Sequence, residues 1–170
     1  MMLSRRLFAG VLSLAVALPL GVWASTSLPQ PEGDVLLNVT GSITVGNTAS
    51  GAAFDRKMLE ALDWVEIETY TSFTTGPQRF SGPTLASVLA AVGATGTSLE
   101  AKAINDYAVR IPVSDADDHD VILAMDMNGK PMRVRDKGPI WVIYPLSRAD
   151  AEMRPFDGQM IWQLVQIRVD

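Results

Sequence analysis

The stretch from Ile104 to Leu146 decides the fold. It contains two apolar runs, Val121-Ile122-Leu123-Ala124-Met125 and Ile140-Trp141-Val142-Ile143-Tyr144, and between them a turn signal at Asn128-Gly129. Because Asn and Gly tolerate the positive φ that a tight hairpin needs, the two runs are predicted to form a hairpin. The second run has no polar alternation, which predicts a strand buried on both faces. We expect the rest of the chain to be built around this sheet.

The segments outside this stretch predict further strands and two helices. Asp55 is placed to cap a short helix that carries Phe54, Met58, Leu59 and Leu62 on one side, and Pro83 fits the first turn of a second helix that Gly93 stops. The pattern predicts a mixed α/β or α+β domain that is richer in strand than in helix. The predicted strands are 35–40, 43–45, 65–69, 99–104 and 165–169, and the predicted loops include 46–53 and 71–82.

Composition excludes several classes of function. The chain has 170 residues with 48% hydrophobic content, which suits one globular domain, and a formal charge of −5. It has no cluster of Lys and Arg, which argues against nucleic acid and anionic membrane surfaces as partners. There are no cysteines. Disulfides, zinc–thiolate sites, iron–sulfur clusters and a thiol nucleophile are therefore excluded.

The first residues have the pattern of an export leader. Arg5 and Arg6 precede the apolar run Leu7 to Val22, and cleavage is predicted after Ala24. The two arginines fit a twin-arginine leader, and a general secretion signal is the alternative. We therefore predict a periplasmic or secreted protein that is not an integral membrane protein once the leader is removed. The predicted organisation is a signal peptide at 1–24, a flexible tail at 25–34 and a single domain at 35–170.

Catalytic patterns are scarce. The acidic run from Asp115 to Asp120 contains the single histidine, His119, and supplies carboxylates of the kind that calcium prefers. It lacks the glycine and the distal Glu of an EF-hand loop, so a solvated acidic turn or the start of a short helix is the favoured interpretation. No Gly-x-Ser-x-Gly turn or phosphate-binding glycine loop is present, which argues against a hydrolase and a nucleotide-binding enzyme.

Two further groups of residues have alternative interpretations. Trp141, Tyr144 and Trp162 are aromatic residues that could line a ligand pocket, but their strand-like surroundings favour the core. Arg79, Lys137 and Arg148 could bind a phosphate group, since arginine suits bidentate contacts. Ordinary surface charge is the favoured interpretation of these three.

The ordered set of motifs resembles the molybdopterin-binding domain of the sulfite oxidase family. The resemblance extends over about residues 35–170, and each motif is weak when taken alone. The motifs are Phe80-Ser81-Gly82-Pro83-Thr84-Leu85, Asn105-Asp106-Tyr107 before Ile111-Pro112, Leu123-Ala124 before Asn128-Gly129-Lys130-Pro131-Met132, Gly138-Pro139 before Tyr144-Pro145, and Trp162.

The resemblance implies a strongly curved mixed sheet and a cofactor pocket between three loops. In the family this pocket holds the molybdenum cofactor, and a cysteine of the first loop ligates the metal. That loop is Thr71 to Pro77 in this chain and contains no cysteine. The family also tends to carry Arg and Lys at the positions of Trp141 and Ile161, where they would neutralise the pterin phosphate. We therefore expect no bound cofactor, with the molybdenum cofactor as the alternative implied by the resemblance.

Three functions follow from these observations. The leading hypothesis is an exported binder of a small anionic ligand, or an accessory domain of a membrane-bound sensor or redox partner. The alternatives are a molybdopterin-dependent oxidoreductase with a non-cysteine metal ligand, such as Thr74 or Thr75, and a protein-interaction domain with an empty pocket. The expected pocket residues are Thr74, Thr75, Arg79, Asn105, Asp106, Tyr107, Lys137 and Gly138.

Overall fold

A computed structural model describes residues 27–170. The predicted leader, residues 1–24, lies outside the described residues. The strands are β1 (Val35–Gly41), β2 (Ala52–Asp55), β3 (Trp64–Thr69), β4 (Gln78–Pro83), β5 (Ser98–Ala103), β6 (Ala108–Pro112), β7 (Ile122–Ala124), β8 (Asp126–Met127), β9 (Lys130–Pro131), β10 (Trp141–Ile143) and β11 (Leu164–Val169). The helices are α1 (Arg56–Glu60), α2 (Leu85–Ala91), α3 (Asp115–Asp118) and α4 (Arg148–Met153), with a 3₁₀ turn at Val134–Asp136.

The larger sheet has five strands in the order β2-β1-β11-β5-β6. β11 pairs in parallel with β1 and antiparallel with β5, so the last strand of the sequence lies in the middle of the sheet. In β5, Leu99, Ala101 and Ala103 are buried while the residues between them are partly exposed. This alternation places one face of the sheet against the core.

The stretch around Asn128 forms strands much as its apolar pattern predicts. β7 and β10 pair antiparallel, with Trp141 opposite Ala124 and Ile143 opposite Ile122. All residues of both strands are buried, as expected for a run without polar alternation. The predicted hairpin is wrong in its turn: Asn128 and Gly129 do not join these two runs but close the shorter β8–β9 hairpin of a second sheet, whose order is β3-β4-β8-β9. Both turn residues have positive φ, 53° and 72°.

Three local predictions from the sequence are wrong. Residues 43–45 form only an isolated bridge from Ile43 to Ala94. Residues 52–55 form β2, although 52 and 53 were assigned to a loop and Phe54 and Asp55 to the start of a helix; Ala52 and Ala53 pack against β1, and every side chain of β2 is buried. Residues 78–82, also assigned to a loop, belong to β4, because pairing with β3 stabilises a strand that carries polar side chains.

The two predicted helices form, but with later starts than expected. Phe54 belongs to β2, and α1 follows the predicted cap, since the Asp55 carboxylate accepts a hydrogen bond from the Met58 backbone N–H at 2.9 Å. Pro83 ends β4 instead of entering the helix, and Thr84 caps α2. Gly93 follows α2 with a φ of 57°, which fits its predicted role in stopping the helix.

Residues 27–34, which include most of the predicted tail, contact the domain. The Asp55 carboxylate accepts hydrogen bonds from the backbone N–H groups of Glu32 and Gly33, at 2.7 and 2.9 Å. The Asn47 amide donates to the Pro29 carbonyl at 2.7 Å, and Leu28 packs against the core. Within residues 27–170, no helix is both long enough and apolar enough to cross a membrane. The mixed sheets with a few short helices confirm the predicted α+β class.

Candidate functional site

The residues expected to form one pocket are divided between two neighbouring cavities. Thr74, Thr75 and Lys137 line a cavity of about 500 Å³, which we call the lysine cavity; its other lining residues are Phe73, Gln78, Met127, Arg135 and Asp136. Asn105 and Tyr107 line a cavity of about 350 Å³, which we call the aromatic cavity; its other lining residues are Phe73, Ala103, Asp157, Gly158, Met160, Ile161 and Trp162. Phe73 forms a wall of both.

The loop after β3 carries Phe73 and is held by hydroxyl groups. Thr69, at the end of β3, accepts a hydrogen bond from the Leu146 N–H at 2.6 Å, which ties the start of the loop to the segment after β10. The Thr71 and Thr74 hydroxyls are 2.9 Å apart, and the Ser72 hydroxyl donates to the Asp157 carboxylate at 2.6 Å. These contacts fix the polar side chains of the loop and leave the Phe73 ring between the two cavities.

Lys137 holds an unusual position beside this ring. Its backbone has a φ of 74°, a left-handed conformation that non-glycine residues adopt rarely. Its Nζ lies 5.6, 4.9 and 4.3 Å from the ring centroids of Phe73, Trp141 and Trp162. Among residues 27–170, no carboxylate oxygen lies within 4.0 Å of this nitrogen. The ammonium group is therefore held by uncharged rings.

The remaining expected site residues line neither cavity. Arg79 is exposed on β4 and lies 3.6 Å from the Glu66 carboxylate. Asp106 pairs with Lys102 at 2.6 Å, and this hydrogen bond lowers the pKa of Asp106. Gly138 is buried, and a Cβ at this position would collide with the Met132 carbonyl, so the residue has a packing role next to Lys137.

The aromatic residues split between the core and the site. Trp141 and Tyr144 are fully buried, in agreement with the favoured interpretation. Trp162 is 37% exposed and lines the aromatic cavity, so its assignment to the core is wrong. Phe73 and Asp157 were missed by the sequence analysis: Phe73 lies in the loop of Thr71 to Pro77 but was not expected to line the pocket, Asp157 lies in no motif, and their proximity depends on the tertiary fold.

The basic and acidic candidates lie elsewhere. Arg148 lines a third cavity of about 550 Å³ and is paired with Glu152 at 3.3 Å. In the acidic run, Asp115 is buried and accepts a hydrogen bond from the Tyr144 hydroxyl at 2.7 Å. Burial raises the pKa of Tyr144, and the bond to Asp115 raises it further. The described part of the chain contains no group of three or more acidic or histidine side chains that could hold a metal ion.

The side chains of the site do not fit a thiolate-ligated molybdenum. The chain has no thiol, and the loop from Thr71 to Pro77 presents hydroxyl groups at the position that the resemblance assigns to the metal ligand. A hydroxyl is a harder and less readily ionised ligand than a thiolate. Trp141, which stands where the family tends to carry arginine, is buried with its Nε1 donating to the Met160 carbonyl at 3.0 Å.

Comparisons with known proteins agree with this architecture. Residues 41–152, about two thirds of the chain, match the family of the oxidoreductase molybdopterin binding domain. The crystal structure of the sulfane dehydrogenase SoxCD from Paracoccus pantotrophus is similar, with a TM-score of 0.60 and 16% sequence identity. The match covers 84% of this chain and 39% of that chain, so this chain spans well under half the length of that relative. No curated protein matches the chain.

At 16% identity the structural likeness shows the fold alone, and it confirms the mixed, strand-rich fold that the motifs implied. The match over residues 41–152 includes the loop of Thr71 to Pro77, the Asn105–Tyr107 turn and the Lys137–Pro139 turn. This chain belongs to the family of oxidoreductase molybdopterin-binding domains.

Proposed function

We propose that this chain is a small-anion-binding accessory domain, in which the fold of the family works without thiolate-ligated molybdenum. The observation that carries the proposal is the position of Lys137. Lys137 lines the lysine cavity, and its ammonium group packs on the rings of Phe73, Trp141 and Trp162.

Aromatic rings hold a cation without cancelling its charge. A cation–π contact contributes about 0.5–2 kcal/mol, and the rings carry no net charge, so the positive charge of Lys137 stays available to a ligand. Arg135 and Gln78 line the same cavity. Arg135 lies 3.9 Å from the Asp136 carboxylate. The Gln78 amide nitrogen donates one of its two hydrogens to the Thr75 carbonyl at 2.9 Å, so both side chains have donors left for a ligand. Asp136 is the carboxylate of the cavity, and its hydrogen bond from Arg133 at 2.7 Å lowers its pKa and engages its charge.

Calorimetric titration with sulfite, phosphate and benzoate tests the proposal. We expect at least one of these anions to bind, and Lys137→Met to weaken it about tenfold or more, because a charge-assisted hydrogen bond contributes about 1.5–3 kcal/mol. Arg79→Met removes a positive charge that lines neither cavity, so it serves as the matched control and should change little. Equal affinities for the wild type and Lys137→Met would contradict the assignment of the site.

A second candidate is a molybdopterin-dependent oxidoreductase with a hydroxyl ligand in place of the thiolate. It is supported by membership of the family and by the exposed side chain of Thr75 at the lysine cavity. Elemental and pterin analysis of protein from an exporting host that makes the cofactor separates the two. Stoichiometric molybdenum and pterin would favour the enzyme. If the protein bound neither cofactor nor any of the three anions, a protein-interaction domain would be the better description.

We further propose that the mature protein is periplasmic or secreted and serves a membrane-bound sensor or redox partner. The support is the leader pattern, with Arg5 and Arg6 before an apolar run and a cleavage pattern ending at Ala24. Cell fractionation followed by intact mass measurement should find a chain that begins at Ser25. A cytoplasmic protein of full length would contradict this proposal.

A further inference from the structure

We propose that the aromatic cavity is a second binding site, for a small organic ammonium ion. The proposal goes beyond the anion site, because it concerns the neighbouring cavity and the opposite charge. Three aromatic side chains line the aromatic cavity: Phe73, Tyr107 and Trp162. Asp157 is its one charged lining residue, and no Lys or Arg lines it. Aromatic faces combined with a carboxylate are the chemistry that recognises organic cations.

Two of the aromatic walls are exposed in a way that core packing does not explain. Tyr107 is 57% exposed and Trp162 is 37% exposed, and they are the two aromatic residues among the exposed large hydrophobic side chains of residues 27–170. Both line this one cavity. Exposed aromatic residues that converge on a cavity are typical of ligand sites.

The turn that carries Tyr107 is closed by its own hydrogen bonds. The Ala103 N–H donates to the Tyr107 carbonyl at 2.8 Å, and the Tyr107 N–H donates to the Asn105 side-chain oxygen at 3.3 Å. Trp162 is placed by an antiparallel bridge to Trp141 in the core. The backbone that carries both walls is therefore held before a ligand arrives, which reduces the ordering cost of binding.

Asp157 retains acceptor capacity for a cation. One of its carboxylate oxygens accepts the Ser72 hydroxyl at 2.6 Å. The other lies 3.9 Å from the Nε of Arg154, whose side chain is 69% exposed. Exposed pairs of this length contribute little, so an ammonium ion can compete for this oxygen. The cavity of about 350 Å³ has room for an ion of the size of choline.

Substitution of Lys137 should change the affinities of the two sites in opposite directions. It does not line the aromatic cavity, but its ammonium group lies 4.3 Å from the centroid of the Trp162 ring. A second cation at this ring is repelled by the first. Lys137→Met should therefore tighten the binding of an organic cation, while it weakens the binding of an anion in the lysine cavity.

The test is calorimetric titration with choline and tetramethylammonium, and with the neutral alcohol 3,3-dimethylbutan-1-ol, which has the shape of choline without its charge. We expect choline to bind at least about tenfold more tightly than the alcohol. Asp157→Asn keeps an acceptor for Ser72 and removes the charge, so it should weaken choline about tenfold, and Trp162→Leu should have a similar effect. Asp106→Asn, which changes a carboxylate outside the cavity, is the matched control.

Equal binding of choline and the alcohol, no binding of either cation, or an unchanged affinity in Asp157→Asn would each overturn the proposal. Asp157 does not line the lysine cavity, so anion binding should survive Asp157→Asn. The anion site and the cation site can therefore fail independently.

Discussion

At the residue scale, the hydrogen bond from Tyr144 to Asp115 joins the acidic run to the buried strand β10. Tyr144 is completely buried, with a relative exposure of 0%. Its ring stacks on that of Phe156, with the two ring centroids 4.2 Å apart. Asp115, at the start of α3, places a carboxyl acceptor in a buried position. Such an arrangement is stable only while the donor remains.

Tyr144→Phe should lower the free energy of unfolding by about 1–3 kcal/mol, because it leaves the buried Asp115 carboxylate without its donor. The effect should depend on pH. The pKa of Tyr144 is raised in the folded state above the ordinary value of 10.0, so its contribution is complete below pH 10 and is lost as the pH rises further. Denaturant titrations at pH 8 and pH 11 measure both effects, and a constant difference between wild type and Tyr144→Phe would contradict the second.

Gly138 offers a second prediction at this scale. A Cβ would meet the Met132 backbone carbonyl, so Gly138→Ala should destabilise the fold by about 1–3 kcal/mol or more. Gly158 has no neighbouring atom within 4 Å of an added Cβ. Gly158→Ala is therefore the matched control, and thermal unfolding of the two variants should differ clearly. Similar melting temperatures would show that the turn at Lys137 adapts easily.

At the scale of elements, Asp55 connects the segment before β1 to helix α1. Its carboxylate accepts hydrogen bonds from Met58, Gly33 and Glu32, and these bonds lower its pKa. A lowered carboxyl pKa stabilises the fold at pH values above the ordinary carboxyl pKa. This contribution is lost as the pH falls through the folded-state pKa. The segment from Leu28 to Gly33 should therefore loosen first in acid.

Asp55→Ala should release this segment at neutral pH as well. Limited proteolysis should cut the variant near residues 28–33 faster than the wild type, with the core intact. Asp34→Ala removes a neighbouring exposed carboxylate and is the control. Equal cleavage rates in Asp55→Ala and wild type would show that other contacts, such as Asn47 to Pro29, are sufficient.

The sequence predicted elements best where apolar residues formed an unbroken run or a regular stripe. β10 was predicted because its residues are apolar without interruption, and α2 because Leu85, Val88 and Leu89 share a face. β4 could not be predicted, since its polar residues form a strand only through the ladder with β3. The sequence also could not predict that the expected pocket is divided into two cavities. The position of Phe73 between them depends on contacts between residues that are distant in sequence.

At the scale of the whole molecule, β11 is the central strand of the larger sheet. It pairs with β1 through Asn38–Gly41 and with β5 through Leu99–Ala103, and Ile167 and Val169 are buried. In the small β8–β9 hairpin, both residues of β9 are exposed, and the hairpin joins the rest of its sheet only through the pairing of β8 with β4. Stability is therefore expected to be highest around β11 and lowest at the hairpin.

Amide hydrogen exchange tests this distribution. The backbone amides of Ile167 and Val169 should be among the slowest to exchange, with rates set by global unfolding, whereas the amide of Lys130 should exchange through local opening.

Deletion of residues 164–170 should prevent folding, since it leaves β1 and β5 without their shared partner. A truncated chain that still unfolds cooperatively would contradict the central role of β11.

The position of β11 also sets the order of events during synthesis. Residues 35–41 leave the ribosome early, but their parallel partner at 166–169 emerges more than a hundred residues later. Until then β1 has an unpaired edge, and the apolar faces of β1 and β5 have no strand between them. The larger sheet therefore cannot be completed until nearly the whole domain has been synthesised.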